Sequence, residues 1–156
     1  MALRKILTDK EPALHKTCKP VTAFDKKLHT LLDDMRETLI DSGGVGLAAP
    51  QVGILRRVVL VDTGEEILEL VNPEMLSTDG EQEGPEGCLS VPGKYGLVKR
   101  PYYATVRAQD RDGNWFEVQG EELIARCFCH ELDHLDGILY TQQMERFLTD
   151  KELEQY

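Results

Sequence analysis

Leu28, Leu31, Leu32, Met35 and Leu39 recur at helical spacing, which predicts an amphipathic helix from about Asp25 to Asp41, stopped by Gly43 and Gly44. Beyond it the pattern changes to short apolar runs. Arg57 to Asp62, Ile67 to Val71, Ala104 to Gln109 and Trp115 to Gln119 read as strands, with Trp115 assigned to the core. The last two runs flank Asp110-Arg111-Asp112-Gly113-Asn114, a hairpin signal. Helical spacing returns from about Glu121 to Leu135, and Gly137 is placed to end that helix. Strands gathered around a helix form an α+β pattern. No internal repeat, low-complexity tract or linker interrupts it, so residues 1–156 are read as one domain.

Composition narrows the class. A chain of 156 residues with 41% hydrophobic and 29% charged residues is long enough to bury a core and ordinary for a water-exposed protein. The net charge of −10 argues against direct nucleic-acid binding, because neutralising phosphates needs a basic face. No apolar run is long enough to span a membrane and no basic-then-apolar leader is present, so the default expectation is cytoplasmic, without membrane association. Of the four cysteines, Cys127 and Cys129 sit two apart on one predicted helix. Free thiols are therefore expected, with Cys18 an ordinary buried or half-buried one. His15 and His29 are read as surface residues.

The chemistry concentrates in His130-Glu131-Leu132-Asp133-His134, an H-E-x-x-H sequence inside the second predicted helix. At about 100° per residue, His134 lies about 40° from His130, so both imidazoles leave one face and can grip a single metal ion. Leu123 and Cys127 fall on the same face, Glu131 lies to one side, and Arg126 and Asp133 lie on the other. Two protein ligands make a weak site, and a catalytic metal needs a third together with an open position for water. The extended pattern H-E-x-x-H-x-x-G-x-x-H holds as far as Gly137 and then places Tyr140 where its third histidine belongs. Downstream acids are limited to Glu145, Glu152 and Glu154. Upstream, Cys88 in Glu86-Gly87-Cys88-Leu89-Ser90 is the better candidate. Pro85, Pro92 and Gly93 bracket it, which predicts a strand end or turn.

Three segments taken together resemble the peptide deformylase family. They are Gly44-Val45-Gly46-Leu47-Ala48-Ala49-Pro50-Gln51, Glu86 to Ser90, and His130 to His134, matching G-x-G-x-A-A-x-Q, E-G-C-L-S and H-E-x-D-H in order. The resemblance covers nearly the whole chain. It implies antiparallel β-sheets around a central metal-binding helix, and removal of the N-formyl group from the N-terminal formylmethionine of newly made polypeptides, with release of formate. The implied metal ligands are Cys88, His130 and His134; the implied catalytic groups are Glu131 as proton carrier and Gln51 and the Leu89 backbone N–H as oxyanion donors. Val45, Gly46, Gly87, Leu123, Arg126 and Cys127 are the implied substrate-binding residues, with Val45 and Gly46 offering main-chain hydrogen bonds. Arg126 departs from an apolar residue found there in some members of the family, and Cys129 replaces a frequent glutamine. Asp133 is expected to pair with Arg100 and steady the helix.

The implied cofactor is one divalent ion: Fe²⁺ in the cell, with Zn²⁺, Ni²⁺ or Co²⁺ as occupants of purified protein. Implied partners are N-formylmethionyl nascent peptides, with transient proximity to the ribosome. The acidic segment after Phe147 is not expected to dock there stably. The alternative is another small H-E-x-x-H metallohydrolase or peptidase, which would take a downstream Glu or His as third ligand.

Overall fold

In the computed structural model, which describes residues 2–156, the first helix α1 runs Lys26–Ser42. Asp25 caps it by accepting a hydrogen bond from the Leu28 N–H at 3.1 Å. Gly43 ends it at φ +70°, donating its N–H to the carbonyls of Leu39 and Ile40. The five apolar positions of the predicted stripe are all buried. Asp34, on the same helix, anchors the N-terminal segment: it accepts from the Ala2 N–H at 2.8 Å and pairs with Arg4.

Seven strands follow the helix: β1 (Gly46–Ala48), β2 (Val58–Asp62), β3 (Ile67–Asp79), β4 (Gln82–Cys88), β5 (Val91–Arg100), β6 (Tyr103–Gln109) and β7 (Trp115–Glu121). Five form an antiparallel sheet in the order β1-β2-β3-β6-β7, while β4 and β5 pair as a separate hairpin. The second long helix, α2 (Leu123–Leu135), lies against the large sheet, and a short helix, α3 (Asp150–Leu153), follows. The predicted α+β class is met. α2 begins two residues later than the periodicity implied, because β7 extends through Glu121 and Glu122 turns the chain at φ +52°.

Packing explains why β2 reads as an unbroken apolar run. Val58 and Leu60 face α1 and join its leucines, whereas Val59 and Val61 face α2 and pack with Ala125, Phe128 and Leu135. A strand covered on both sides by helices has no polar face to show. Trp115 corrects its core assignment: it is 46% exposed, its indole lying beneath the Arg107 guanidinium, whose Cζ is 3.9 Å from the ring centre. Strand phase decides this, since Phe116 and Val118 take the inward positions of β7 and Trp115 alternates outward. His15 is exposed and His29 half-buried, while Cys18 is buried.

Candidate metal centre

The cleft of about 560 Å³ between the loop leading into β1 and the β4–β5 hairpin is floored by α2. Cys88 enters from the last position of β4, and His130 and His134 rise one above the other from α2. The Cys88 Sγ lies 3.3 Å from His134 Nε2, and one ligand atom from each of the three residues falls within 4.8 Å of the others. The two imidazole rings are 5.0 Å apart, inclined at 76°. This is the only such group of His, Cys, Asp and Glu side chains among the described residues.

Polar groups around the triad bear on whether it fits a metal. Burial holds His134 well below the ordinary histidine range, so its imidazole is neutral and its lone pair free. His134 Nδ1 and Glu131 Oε1 are buried without a hydrogen-bond partner among the described residues. His130 Nδ1 sits 2.7 Å from Glu86 Oε2; an ionised carboxylate only accepts, so Nδ1 carries the proton and Nε2 is the ring nitrogen left to meet a metal. One soft sulfur and two imidazole nitrogens at this separation suit a divalent transition metal. The donor set fits.

Glu86 anchors a buried network. Burial would raise its pKa, but hydrogen bonds from His130 and Arg100 outweigh it and hold the carboxyl at about 2. Arg100 donates to it through Nε at 3.0 Å and Nη2 at 2.7 Å, and Arg126 through Nη1 at 3.0 Å. Arg100 Nη1 also reaches Asp133 Oδ2 at 2.9 Å, the pairing expected from the sequence. The support of His130 by Glu86 is not among the sequence expectations. A signal for it exists: Glu86 stands two residues before Cys88 in the segment Glu86 to Ser90 that the resemblance singles out.

Glu131 is 3% exposed, and its Oε2 is 4.0 Å from His130 Nε2. Burial pushes its carboxyl up to about 7 against the pull of His130. Gln51 reaches the triad from the turn after β1. Its side-chain oxygen accepts from the Ala48 N–H at 2.9 Å, and its Nε2 donates to Ser90 Oγ at 3.1 Å and points at Cys88 Sγ at 3.5 Å. Leu89 follows Cys88 and packs over Gly44, where a Cβ would come within 2.9 Å of Leu89 Cδ1.

The remaining predicted residues line the same cleft: Val45 and Gly46 on one wall, Gly87 on the other, Arg126 and Cys127 on the floor, and Leu123 at its edge. Gly46 has no room for a side chain, since a Cβ would stand 2.5 Å from Glu131 Oε2 and 2.7 Å from Cys127 Sγ. Gly87 is equally confined, with a Cβ 2.6 Å from the Tyr95 ring. Leu123 is 55% exposed and forms the rim rather than the floor of the slot. Burial drives the Cys127 thiol well above its usual range, which keeps it neutral. Lys94 and Tyr95, not anticipated from the sequence, complete the opposite rim from a loop-out in β5.

Comparison with known proteins gives a consistent result. The family model for polypeptide deformylase matches residues 3–149. The chain is 55% identical over 150 residues to a peptide deformylase of Agathobacter rectalis, covering 96% of this chain and 95% of that one. It is 54% identical over 154 residues to one from Caldanaerobacter subterraneus subsp. tengcongensis, covering 99% and 97%. Among solved structures, the peptide deformylase of Thermotoga maritima superposes with a TM-score of 0.89 at 38% identity, over 92% of this chain and 98% of that one. The Legionella pneumophila enzyme gives 0.88 at 44% identity, over 98% and 90%.

Proposed function

The chain belongs to the polypeptide deformylase family, and from that premise we propose how its own residues carry out the reaction. It is a metal-dependent hydrolase that removes the N-formyl group from nascent polypeptides. Water adds to the formyl carbon, the C–N bond breaks, formate leaves, and the freed amine takes a proton.

Cys88, His130 and His134 would hold the divalent ion, which when bound would supply positive charge to polarise the formyl oxygen and acidify a water molecule. Glu131 accepts the water's proton and passes it to the departing nitrogen. A carboxyl poised near 7 by burial can do both near neutral pH. Gln51 Nε2 and the Leu89 N–H stabilise the charge that develops on the formyl oxygen, each worth about 3–4 kcal/mol in the transition state. Glu86 fixes the His130 ring through Nδ1, and Arg100 and Arg126 fix Glu86. The peptide backbone lies along β1, hydrogen-bonded to Val45 and Gly46, with the first side chain between Gly87, Leu123, Arg126 and Cys127.

Fe²⁺ is the ion in the cell, a reading supported by the family resemblance and by a ligand set that also takes Zn²⁺, Ni²⁺ or Co²⁺. Co-translational substrates imply a cytoplasmic site of action and transient proximity to the ribosome. No helix among the described residues is long and apolar enough to cross a membrane.

The convergence of the Cys88 sulfur on two imidazoles beside a buried carboxylate with one unpartnered oxygen carries this reading. Formate release from formyl-Met-Ala-Ser by metal-loaded protein tests it. Wild type is expected to turn over, with Cys88→Ala and Glu131→Ala reduced at least about 10³-fold. No formate from metal-loaded wild type contradicts the proposal.

A further inference from the structure

Arg126 brings a guanidinium into a slot where its neighbours Leu123, at the rim, and Cys127, on the floor, are apolar. It is only 7% exposed, yet it lines the cleft. Its Nη1 donates to Glu86 Oε1 at 3.0 Å and to the Val98 carbonyl at 3.2 Å. Glu86 can take nothing more: Oε1 already accepts from Arg100 Nε, and Oε2 from Arg100 Nη2 and His130 Nδ1. A carboxylate has about four lone-pair sites, and all four are used.

The Nε and Nη2 of Arg126 therefore have no hydrogen-bond partner among the described residues. Neither is among the side-chain atoms sealed away without one, and the residue that carries them lines the cleft, with Nη2 beside Gly84. Donors of this kind are costly to cover with an apolar group and are satisfied by an acceptor brought in by the ligand. A thioether sulfur accepts only weakly.

Resting on the deformylase reading of the cleft, we propose that Arg126 adapts the first side-chain slot to formyl peptides that begin with methionine sulfoxide. The sulfoxide adds one strong, neutral acceptor oxygen to a side chain of nearly the same shape as methionine. A carboxylate is a poorer match, because the Arg126 charge is already offset by Glu86, and Glu131 stands in the same cleft. A purely apolar slot would have no partner for the sulfoxide oxygen and would reject it.

The test compares kcat/KM for formyl-Met-Ala-Ser and for each epimer of its sulfoxide on metal-loaded wild type, Arg126→Leu and Arg126→Gln. Wild type is expected to process the better epimer within about tenfold of the thioether. Arg126→Leu lowers the sulfoxide-to-thioether ratio at least about tenfold, and Arg126→Gln, which keeps a donor, lowers it less. Because the ratio is internal to each variant, loss of folded or active protein cancels. Calorimetric titration of metal-loaded Glu131→Gln protein, with and without Arg126→Leu, reads the same preference as a ratio of Kd values without turnover. A wild-type ratio below about one hundredth, or equal ratios in wild type and Arg126→Leu, overturns the proposal. Failure of wild type on the thioether substrate itself would instead defeat the deformylase reading.

Discussion

Single residues hold the cleft to its shape, and Gly46 is the tightest case. A methyl group there would meet the Glu131 carboxylate and the Cys127 sulfur, so Gly46→Ala must push the Glu131 side chain, the proposed proton carrier, aside. A displacement of about 1 Å at a catalytic group costs about 10² in rate, and kcat/KM for formyl-Met-Ala-Ser is expected to fall by that order while far-ultraviolet circular dichroism is unchanged. Full activity in this variant would show that the wall is soft. Glu86→Gln takes the carboxylate from His130, Arg100 and Arg126 together, and metal affinity, read by competition with a chelator, is expected to weaken about 10–100-fold. Unchanged affinity would leave Glu86 a structural role only. The sequence made the triad legible because His130 and His134 are one helical turn apart and Cys88 stands in a recognisable segment. It did not reveal Glu86 or the open donors of Arg126, because those depend on how β4 and β5 approach α2, a long-range packing fact with no local periodicity.

Elements were legible where one face met the core and the other met water. α1 declared itself through its leucine stripe, and the β6–β7 hairpin through Asp110-Arg111-Asp112-Gly113-Asn114. The apolar run Ile67 to Val71 marks only the first part of β3, since Asn72-Pro73 interrupts the pattern there. The strand continues through bulges, with Asn72 held at φ +51° by hydrogen bonds between its side chain and Val21 and Gln109. β4 and β5 show no clear alternation in the sequence beyond the strand end or turn at Cys88, because glycines and prolines dilute it. Charge also fastens elements together: Glu69 on β3 accepts from Arg36 on α1 at 3.0 Å and from Arg111 in the β6–β7 turn at 2.7 and 2.9 Å. Burial would raise the Glu69 pKa, but these hydrogen bonds outweigh it and hold the carboxyl below its ordinary range. Because the folded-state value is depressed, the stabilisation is full above the unfolded carboxyl pKa of about 4.3 and disappears as pH falls through the folded value. Glu69→Gln is expected to cost about 1–2 kcal/mol at pH 7 and to flatten the acid limb of stability, as read by urea unfolding between pH 7 and 3. Equal acid limbs in the two proteins would remove Glu69 from the account.

At the scale of the whole molecule, two packing events build the site. The large sheet carries β1 and supports α2, while the β4–β5 hairpin brings Cys88 to the imidazoles from a separate sheet. A sulfur 42 residues before the first histidine in sequence becomes their neighbour only when both units are in place. Folding and metal binding should therefore be coupled: adding the divalent ion at 100 times its Kd is expected to raise stability by about 2.7 kcal/mol, and a chelator to remove that gain. An unfolding midpoint indifferent to metal would argue that the ion binds elsewhere. The most direct test is X-ray absorption at the edge of the bound metal in anaerobically prepared protein. The expected first shell contains one sulfur at about 2.3 Å and two imidazole nitrogens at about 2.0–2.1 Å, with the sulfur lost in Cys88→Ala. A shell of nitrogen and oxygen alone in the wild type would contradict the account.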